Sequence, residues 1–156
     1  LDIEVTEFEV WAATVLGLYV YRIDRNEGRF ISDANGPIGD PIRCIYRYGN
    51  EMWLGGNGSV YGYNLKTRKW YDSPQRNLGL NSPVHAIAAN DAAVWAGTDR
   101  GVFKLDRKTK DWRRFKQSDG LLDLQVNAIL LDDDYIWFGT REGVTAFYWN
   151  DPGRVD

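Results

Sequence analysis

The stretch VWAGTDRGVF, Val94–Phe103, is the part of the sequence that decides the fold. It has the pattern of a short strand, a tight turn with glycine, and a second strand. Related stretches begin at Val10 (VWAATVLGLY), Met52 (MWLGGNGSVY) and Ile136 (IWFGTREGVT). Each contains one tryptophan, and these are spaced by 42 residues every time: Trp11, Trp53, Trp95 and Trp137. A constant period of this length predicts a repeat protein.

Each repeat is predicted to form four short antiparallel strands, which we name A to D in chain order. Strand B carries the tryptophan, strand C follows the glycine turn, and strand D follows a charged turn. Strand A is a short run before the tryptophan: Leu1–Val5, Ile42–Ile45, Val84–Ile87 and Val126–Ile129. No stretch has convincing helical periodicity.

Repeats of this length with four strands each predict an all-β fold built from β-propeller blades. The chain then forms one domain, with blades at approximately 1–33, 34–75, 76–117 and 118–156. A small sheet has two apolar faces, so each blade must pack against a neighbour on both sides. We therefore expect the four repeat tryptophans to be buried between blades. We also expect Ile45, Ile87 and Ile129 to lie on the innermost strands.

The sequence at the two termini predicts an incomplete propeller. The sequence starts directly in strand A, and the segment Asn150–Arg154, where strand D of the fourth blade is expected, has the composition of a turn. We therefore expect the fourth blade to have three strands. We also expect the chain to be part of a larger propeller of about seven blades, a ring size implied by the family that these repeats resemble, or to pair with another chain.

Composition excludes several classes of function. The net charge of −3 and the isoelectric point of about 5.2 argue against a nucleic-acid partner, which would need a basic surface. No apolar run is long enough to span a bilayer. The one cysteine, Cys44, cannot form a disulfide within the chain and aligns with Ala86 and Ala128 in later repeats. It is predicted to be a small buried apolar residue.

The repeat resembles the two-component regulator propeller repeat, and the resemblance covers nearly the whole chain. It rests on Ala86-Ile87, Trp95–Thr98 and Gly101-Val102, and on Ala128-Ile129, Trp137–Thr140 and Gly143-Val144. The chain departs from that family at Ala13, where the family has glycine, and at Gly56, where it has threonine. Quinoprotein-type repeats are a weaker match, through the segments 66–70 and 108–112.

The resemblance implies a multi-bladed propeller, often the extracytoplasmic sensor half of bacterial hybrid histidine kinases. A periplasmic or extracellular location and a role in signal transduction follow from the resemblance alone. The motif describes how blades pack and carries no information on a ligand.

The candidate ligand-binding residues are polar side chains that recur at one end of the blades. Arg43, His85 and Asn127 share the second position of strand A, where they are expected to line one mouth of the central channel. The turns between strands B and C carry the other three candidates, Asn57, Arg100 and Arg141, on the same face. The competing interpretations are polar side chains satisfied by neighbouring strands, and charged turns that are merely solvated.

A catalytic role is not expected. A single histidine cannot build the usual multi-histidine zinc site, and no nucleophile elbow, cysteine pair or phosphate loop is present. The sequence thus predicts neither a cofactor nor a metal. It favours a non-catalytic sensor module that binds a small molecule, a glycan or a protein. The alternatives are a propeller-fold lyase or hydrolase, and a structural scaffold for protein interactions.

Overall fold

The computed structural model describes residues 2–31, 38, 41–71 and 82–149. In these residues the chain forms four antiparallel sheets, one for each repeat, and the strands of each sheet pair in chain order. The predicted all-β architecture of four propeller blades is confirmed. Most of the first two loops between blades, and residues 150–156, lie outside the described residues.

The strands of the first two blades are β1 (Ile3–Val5), β2 (Glu9–Thr14), β3 (Gly17–Arg22), β4 (Glu27–Ile31), β5 (Cys44–Tyr48), β6 (Glu51–Gly55), β7 (Val60–Asn64) and β8 (Lys69–Trp70). Those of the third and fourth are β9 (Val84–Ala89), β10 (Ala93–Thr98), β11 (Gly101–Asp106), β12 (Trp112–Phe115), β13 (Val126–Asp132), β14 (Tyr135–Thr140) and β15 (Gly143–Tyr148). A short 3-10 helix, Gln117–Asp119, lies in the loop between them and was not predicted.

The first strands of successive blades lie side by side. Strand β5 packs beside β1 and β9, and β9 packs beside β13. This is the innermost position in a propeller, so the prediction that Ile45, Ile87 and Ile129 lie on the innermost strands is confirmed.

The Trp-x-Gly-Thr motif fits both the hairpin and the contact with the next blade. A Cβ atom on Gly97 would lie 2.8 Å from Cγ1 of Val126, on the first strand of the following blade. Glycine therefore allows adjacent blades to approach closely. The hydroxyl of Thr98 donates to the carbonyl of Gly101 at 2.9 Å and accepts from the amide of Arg100 at 3.0 Å. Gly101 has a φ of 103°, the positive value expected for the turn.

Three apolar cores form between the four blades. Trp11 and Tyr63 pack with ring centroids 5.2 Å apart between blades one and two. Trp53 lies between blades two and three, and Trp95 meets Trp149 of blade four at 5.7 Å. The three tryptophans are 2%, 6% and 2% exposed, as predicted. Burying a ring of this size removes about 150–250 Å² from water.

The prediction that Trp137 is also buried was wrong. Its side chain is 38% exposed, because among the described residues no blade follows the fourth one. Leu130 and Val144 are each 62% exposed on the same blade. At the other end of the series of four blades, which we call the arc, Ile3 and Val5 of blade one are 64% and 54% exposed. In the part of the chain that the structure describes, the fourth and first blades thus do not cover each other, and the arc is open.

The only helical segment among the described residues is the 3-10 turn, so the described part of the chain has no helix that is long and apolar enough to cross a membrane.

Candidate functional site

The second position of strand A lies at a β-bulge in the third and fourth blades. Gly97 pairs with Ala86, the next residue pairs with Val84, and His85 is left between them. The same shift skips Asn127 in blade four. A bulge bends the strand and redirects the extra side chain, and bulges often lie beside binding sites. In these two blades the bulge therefore sets where the candidate side chains project.

Strand A and the B–C turn are joined by a polar pair in two successive blades. Nε of Arg43 donates to Oδ1 of Asn57 at 2.7 Å. Nε2 of His85 lies 2.8 Å from Oδ1 of Asp99. Both pairs join residues that are 14 apart in sequence. The structure thus brings four polar residues together as two equivalent pairs on one face of the arc, which we call the polar rim.

The fourth blade has the equivalent positions but not the equivalent pair. Asn127 and Arg141 are exposed and form no hydrogen bond with each other among the described residues. Instead, Nε of Arg141 lies 3.4 Å from Oδ2 of Asp123 and 3.4 Å from Oε1 of Glu142. The guanidinium of Arg141 is therefore directed towards carboxylates on this face.

Two carboxylates of this face were absent from the predicted site. Asp99 stands four residues after its tryptophan, as Asn57 and Arg141 do after theirs, so the repeat register alone indicates it. Arg100, the residue that was predicted, is one position further on, and its carbonyl accepts from Nε of Arg114 at 2.7 Å. Asp123 belongs to a loop; Asn81 stands 42 residues before it in register, but the predicted site included only residues of strand A and the B–C turns.

Asp123 differs from the other residues of this face in its burial. Its side chain is 14% exposed, and its Oδ2 accepts no hydrogen bond, although the guanidinium of Arg141 is near. Its other oxygen, Oδ1, accepts the amide of Gln125 at 3.4 Å. A buried carboxylate oxygen without a donor retains the capacity to bind one.

The polar rim presents a guanidinium, an amide, an imidazole and a carboxylate at the surface. These groups donate and accept hydrogen bonds in many directions, which suits recognition of a polar ligand. Among the described residues, no group of three or more His, Cys, Asp or Glu side chains could hold a metal ion. In this part of the chain the polar rim is thus built for hydrogen bonding.

The fold is shared with several solved structures at low sequence identity. The designed protein Ika4 has a TM-score of 0.72 at 18% identity, over 94% of this chain and 89% of that one. The extracellular domain of BT3049, assigned to a hybrid two-component system of B. thetaiotaomicron, has a TM-score of 0.66 at 17% identity. PorZ, a surface component of the type-IX secretion system of Porphyromonas gingivalis, has a TM-score of 0.70 at 14% identity.

The extent of these alignments differs greatly. The chain spans about a fifth of BT3049 (19%, with 90% of this chain aligned) and a quarter of PorZ (25%, with 94% of this chain aligned). No protein-family profile and no curated protein sequence matches the chain. The comparisons therefore establish the propeller fold, and the neighbours with that fold include extracellular domains assigned to one-component and hybrid two-component systems.

Proposed function

We propose that this chain is a non-catalytic recognition module from a sensor-type propeller, located outside the cytoplasm. Its ligand, a small molecule, glycan or protein, binds on the face that carries the polar rim. The observation that carries this proposal is the repeated pair, Arg43 with Asn57 and His85 with Asp99, at one position of successive blades. The location is supported by the neighbours, which include extracellular domains assigned to one-component and hybrid two-component systems.

The composition of the polar rim supports recognition in preference to packing. The strands repeat the same apolar pattern in every blade, whereas the rim positions carry arginine, histidine or asparagine in turn. Variable polar residues on a rigid, repeated scaffold are a common way to obtain specificity. Since Arg43 and Asn57 are exposed, the contact between them leaves both side chains accessible to a ligand.

We also propose that further blades, from the same or another chain, cover the two outer faces of the arc. Both faces carry the pattern of the three covered interfaces, and Trp137 stands where Trp95 stands one blade earlier. Exposed apolar surface of this kind marks an interaction site. The low coverage of the long neighbours is consistent with this proposal.

Chemical-shift mapping tests the recognition face. The isotope-labelled chain is titrated with a panel of neutral and acidic oligosaccharides, small organic metabolites and short peptides. The proposal expects shifts centred on Asn57, His85 and Arg141, which are lost in a His85→Ala/Asn57→Ala variant. A Lys108→Ala variant, altered at the opposite end of the blades, is the matched control. Binding that shifts only residues around Asp133 and Lys108 contradicts the proposal.

A further inference from the structure

A second candidate site lies at the opposite end of the blades, where the A–B and C–D turns are. There a cleft of about 210 Å³ opens between blades one and two. Blade one contributes the turn Thr6–Glu9 and Arg22, and blade two contributes Arg47, Asn50, Leu65 and Arg68. This cleft lies away from the polar rim, so the two sites are independent.

Three guanidinium groups line the cleft, and they differ in what neutralises them. Arg22 donates to both carboxylate oxygens of Asp24, at 3.1 and 2.8 Å. Arg68 donates to Oε1 of Glu9 at 2.8 Å. Both of these charges are therefore paired with a carboxylate.

Arg47 is the exception, since its hydrogen bonds go to backbone carbonyls. Nε donates to the carbonyl of Gly49 and Nη1 to that of Val5 across the blade interface, each at 3.3 Å. Among the described residues Arg47 forms no ion pair. Carbonyl dipoles hold the guanidinium in place but do not cancel its charge.

The nearest buried carboxylate cannot supply the missing negative charge. Glu9 is 4% exposed, and each of its oxygens already has a donor. Oε2 accepts from Nε1 of Trp11 at 3.1 Å, and Oε1 accepts from Arg68. Among the charged residues of the cleft, Arg22 is paired with Asp24 and Arg68 with Glu9, which leaves Arg47 as the arginine without an ion pair and Glu7 as the remaining carboxylate of the lining.

The apolar walls of the cleft are held in place before any ligand binds. The hydroxyl of Thr6 accepts from the amide of Glu9 at 3.0 Å, and the carbonyl of Phe8 accepts from Ile23 at 2.9 Å. The amide of Leu65 donates to Asn50 at 2.8 Å. Phe8 is nevertheless 52% exposed. These hydrogen bonds fix the backbone that carries Phe8 and Leu65, and an exposed aromatic ring in the same cleft as a cation suits a ligand with an apolar body and an anionic end.

We propose that this cleft binds a small organic anion. Its carboxylate or phosphate group faces Arg47, and its apolar part packs against Phe8 and Leu65. The planar guanidinium matches both kinds of oxyanion and can bind either through two parallel hydrogen bonds. With a volume of about 210 Å³, the cleft accommodates a compact ligand with a single ring or a short chain.

Benzoate and phenyl phosphate are the probes, with benzyl alcohol as the neutral control. Titration is followed by the amide signals of Phe8, Arg47 and Leu65. One or both anions are expected to shift these signals. Their binding should weaken with added salt and be at least about tenfold tighter than that of benzyl alcohol. Which anion binds more tightly distinguishes a carboxylate from a phosphate ligand.

Two substitutions test the assignment of the site. Arg47→Gln removes the charge and weakens anion binding by about tenfold or more, whereas Arg29→Gln on the outer strand β4, outside both proposed sites, leaves it unchanged. Because Arg47 also joins two blades, Phe8→Ala serves as a second variant. It weakens binding several-fold without altering the melting temperature.

Three results would overturn the proposal. The first is the absence of shifts in the cleft with either anion. The second is equal binding of benzyl alcohol and the anions. The third is unchanged anion binding in both Arg47→Gln and Phe8→Ala.

Discussion

Nη2 of Arg107 in the third blade donates a hydrogen bond to Oε2 of Glu51 in the second. The same carboxylate accepts from Nε1 of Trp53 at 3.1 Å and from the hydroxyl of Tyr71 at 2.6 Å. The guanidinium of Arg107 also lies over the ring of Trp53, 5.3 Å from its centroid. A single glutamate thus ties the repeat tryptophan to the following blade.

The interface between blades one and two has the same combination of glutamate, tryptophan and arginine, with a different sequence separation between the glutamate and the arginine. Glu9 accepts from Nε1 of Trp11 and from Arg68 of the next blade. In both blades the glutamate stands two residues before the tryptophan. The third blade has Ala93 at that position and the fourth has Tyr135. Blade three instead contacts its neighbour through the rings of Trp95 and Trp149.

Glu51→Gln is expected to lower the free energy of unfolding at pH 7 by about 1–3 kcal/mol, since a charged acceptor of three donors is lost. Burial opposes ionisation of Glu51, but the hydrogen bonds from Arg107, Tyr71 and Trp53 outweigh it and hold its pKa below the ordinary value of 4.5. The unfolded state therefore binds the proton more readily than the folded state.

The stabilisation by Glu51 is thus complete above the ordinary pKa and is lost as the pH falls through the folded pKa. Urea unfolding between pH 7 and pH 3 should show the gap between wild type and Glu51→Gln narrowing with acid. The control is Glu142→Gln, whose side chain is 63% exposed and which should have little effect at any pH. A gap that stays constant or widens in acid is inconsistent with this interpretation.

Trp95→Ala and Trp137→Ala form a matched pair, because both residues occupy the same repeat position. Trp95→Ala is expected to lower the free energy of unfolding by roughly 3–5 kcal/mol, since it leaves a cavity in the core where Trp95 packs against Trp149. Trp137→Ala should cost much less at protein concentrations low enough to keep the chain monomeric, because its ring is already partly in water. Equal losses in denaturant unfolding would show that Trp137 is covered in solution.

The thiol of Cys44 should report separation of the second and third blades. Burial, with a smaller contribution from the charge of Asp2, raises its pKa from 9.0 to about 12. The Sγ atom also lies 3.7 Å from the carbonyl of Val84 on the next blade. At pH 8 a disulfide reagent should therefore react only in denaturant. Rapid labelling of the folded chain would contradict the tight contact.

The repeat period predicted most of the fold because packing between blades uses the same few residues each time. The tryptophan recurs in every repeat, and the structure buries it in the first three as expected; the glycine that admits the next blade and the turn threonine each recur in three of the four repeats. The exposure of Trp137 could not be predicted, because its motif is the same as that of Trp95. What differs is whether a following blade covers it, and no pattern within a repeat contains that information.

The candidate site was only partly predictable for a related reason. Arg43, Asn57 and His85 were found because they stand in register, and Asp99 stands in register too. Asp123 lies in a loop, outside the strands and turns on which the prediction was based, and the contact between Arg68 and Glu9 joins turns of two different blades. Residues 68 and 9 are 59 positions apart, and which turn arginine reaches which glutamate depends on the geometry between blades.

Sedimentation equilibrium of the 156-residue chain most directly tests the claim that this is an open arc of blades with two uncovered interfaces. The account predicts self-association that rises with concentration, because contact with another copy removes the two exposed apolar faces from water. It also predicts that Trp137→Arg abolishes this association, while Arg100→Gln on the recognition face leaves it intact. A wild-type chain that is monomeric at every concentration, with Trp137 protected from solvent quenchers as in a closed four-blade ring, would contradict it.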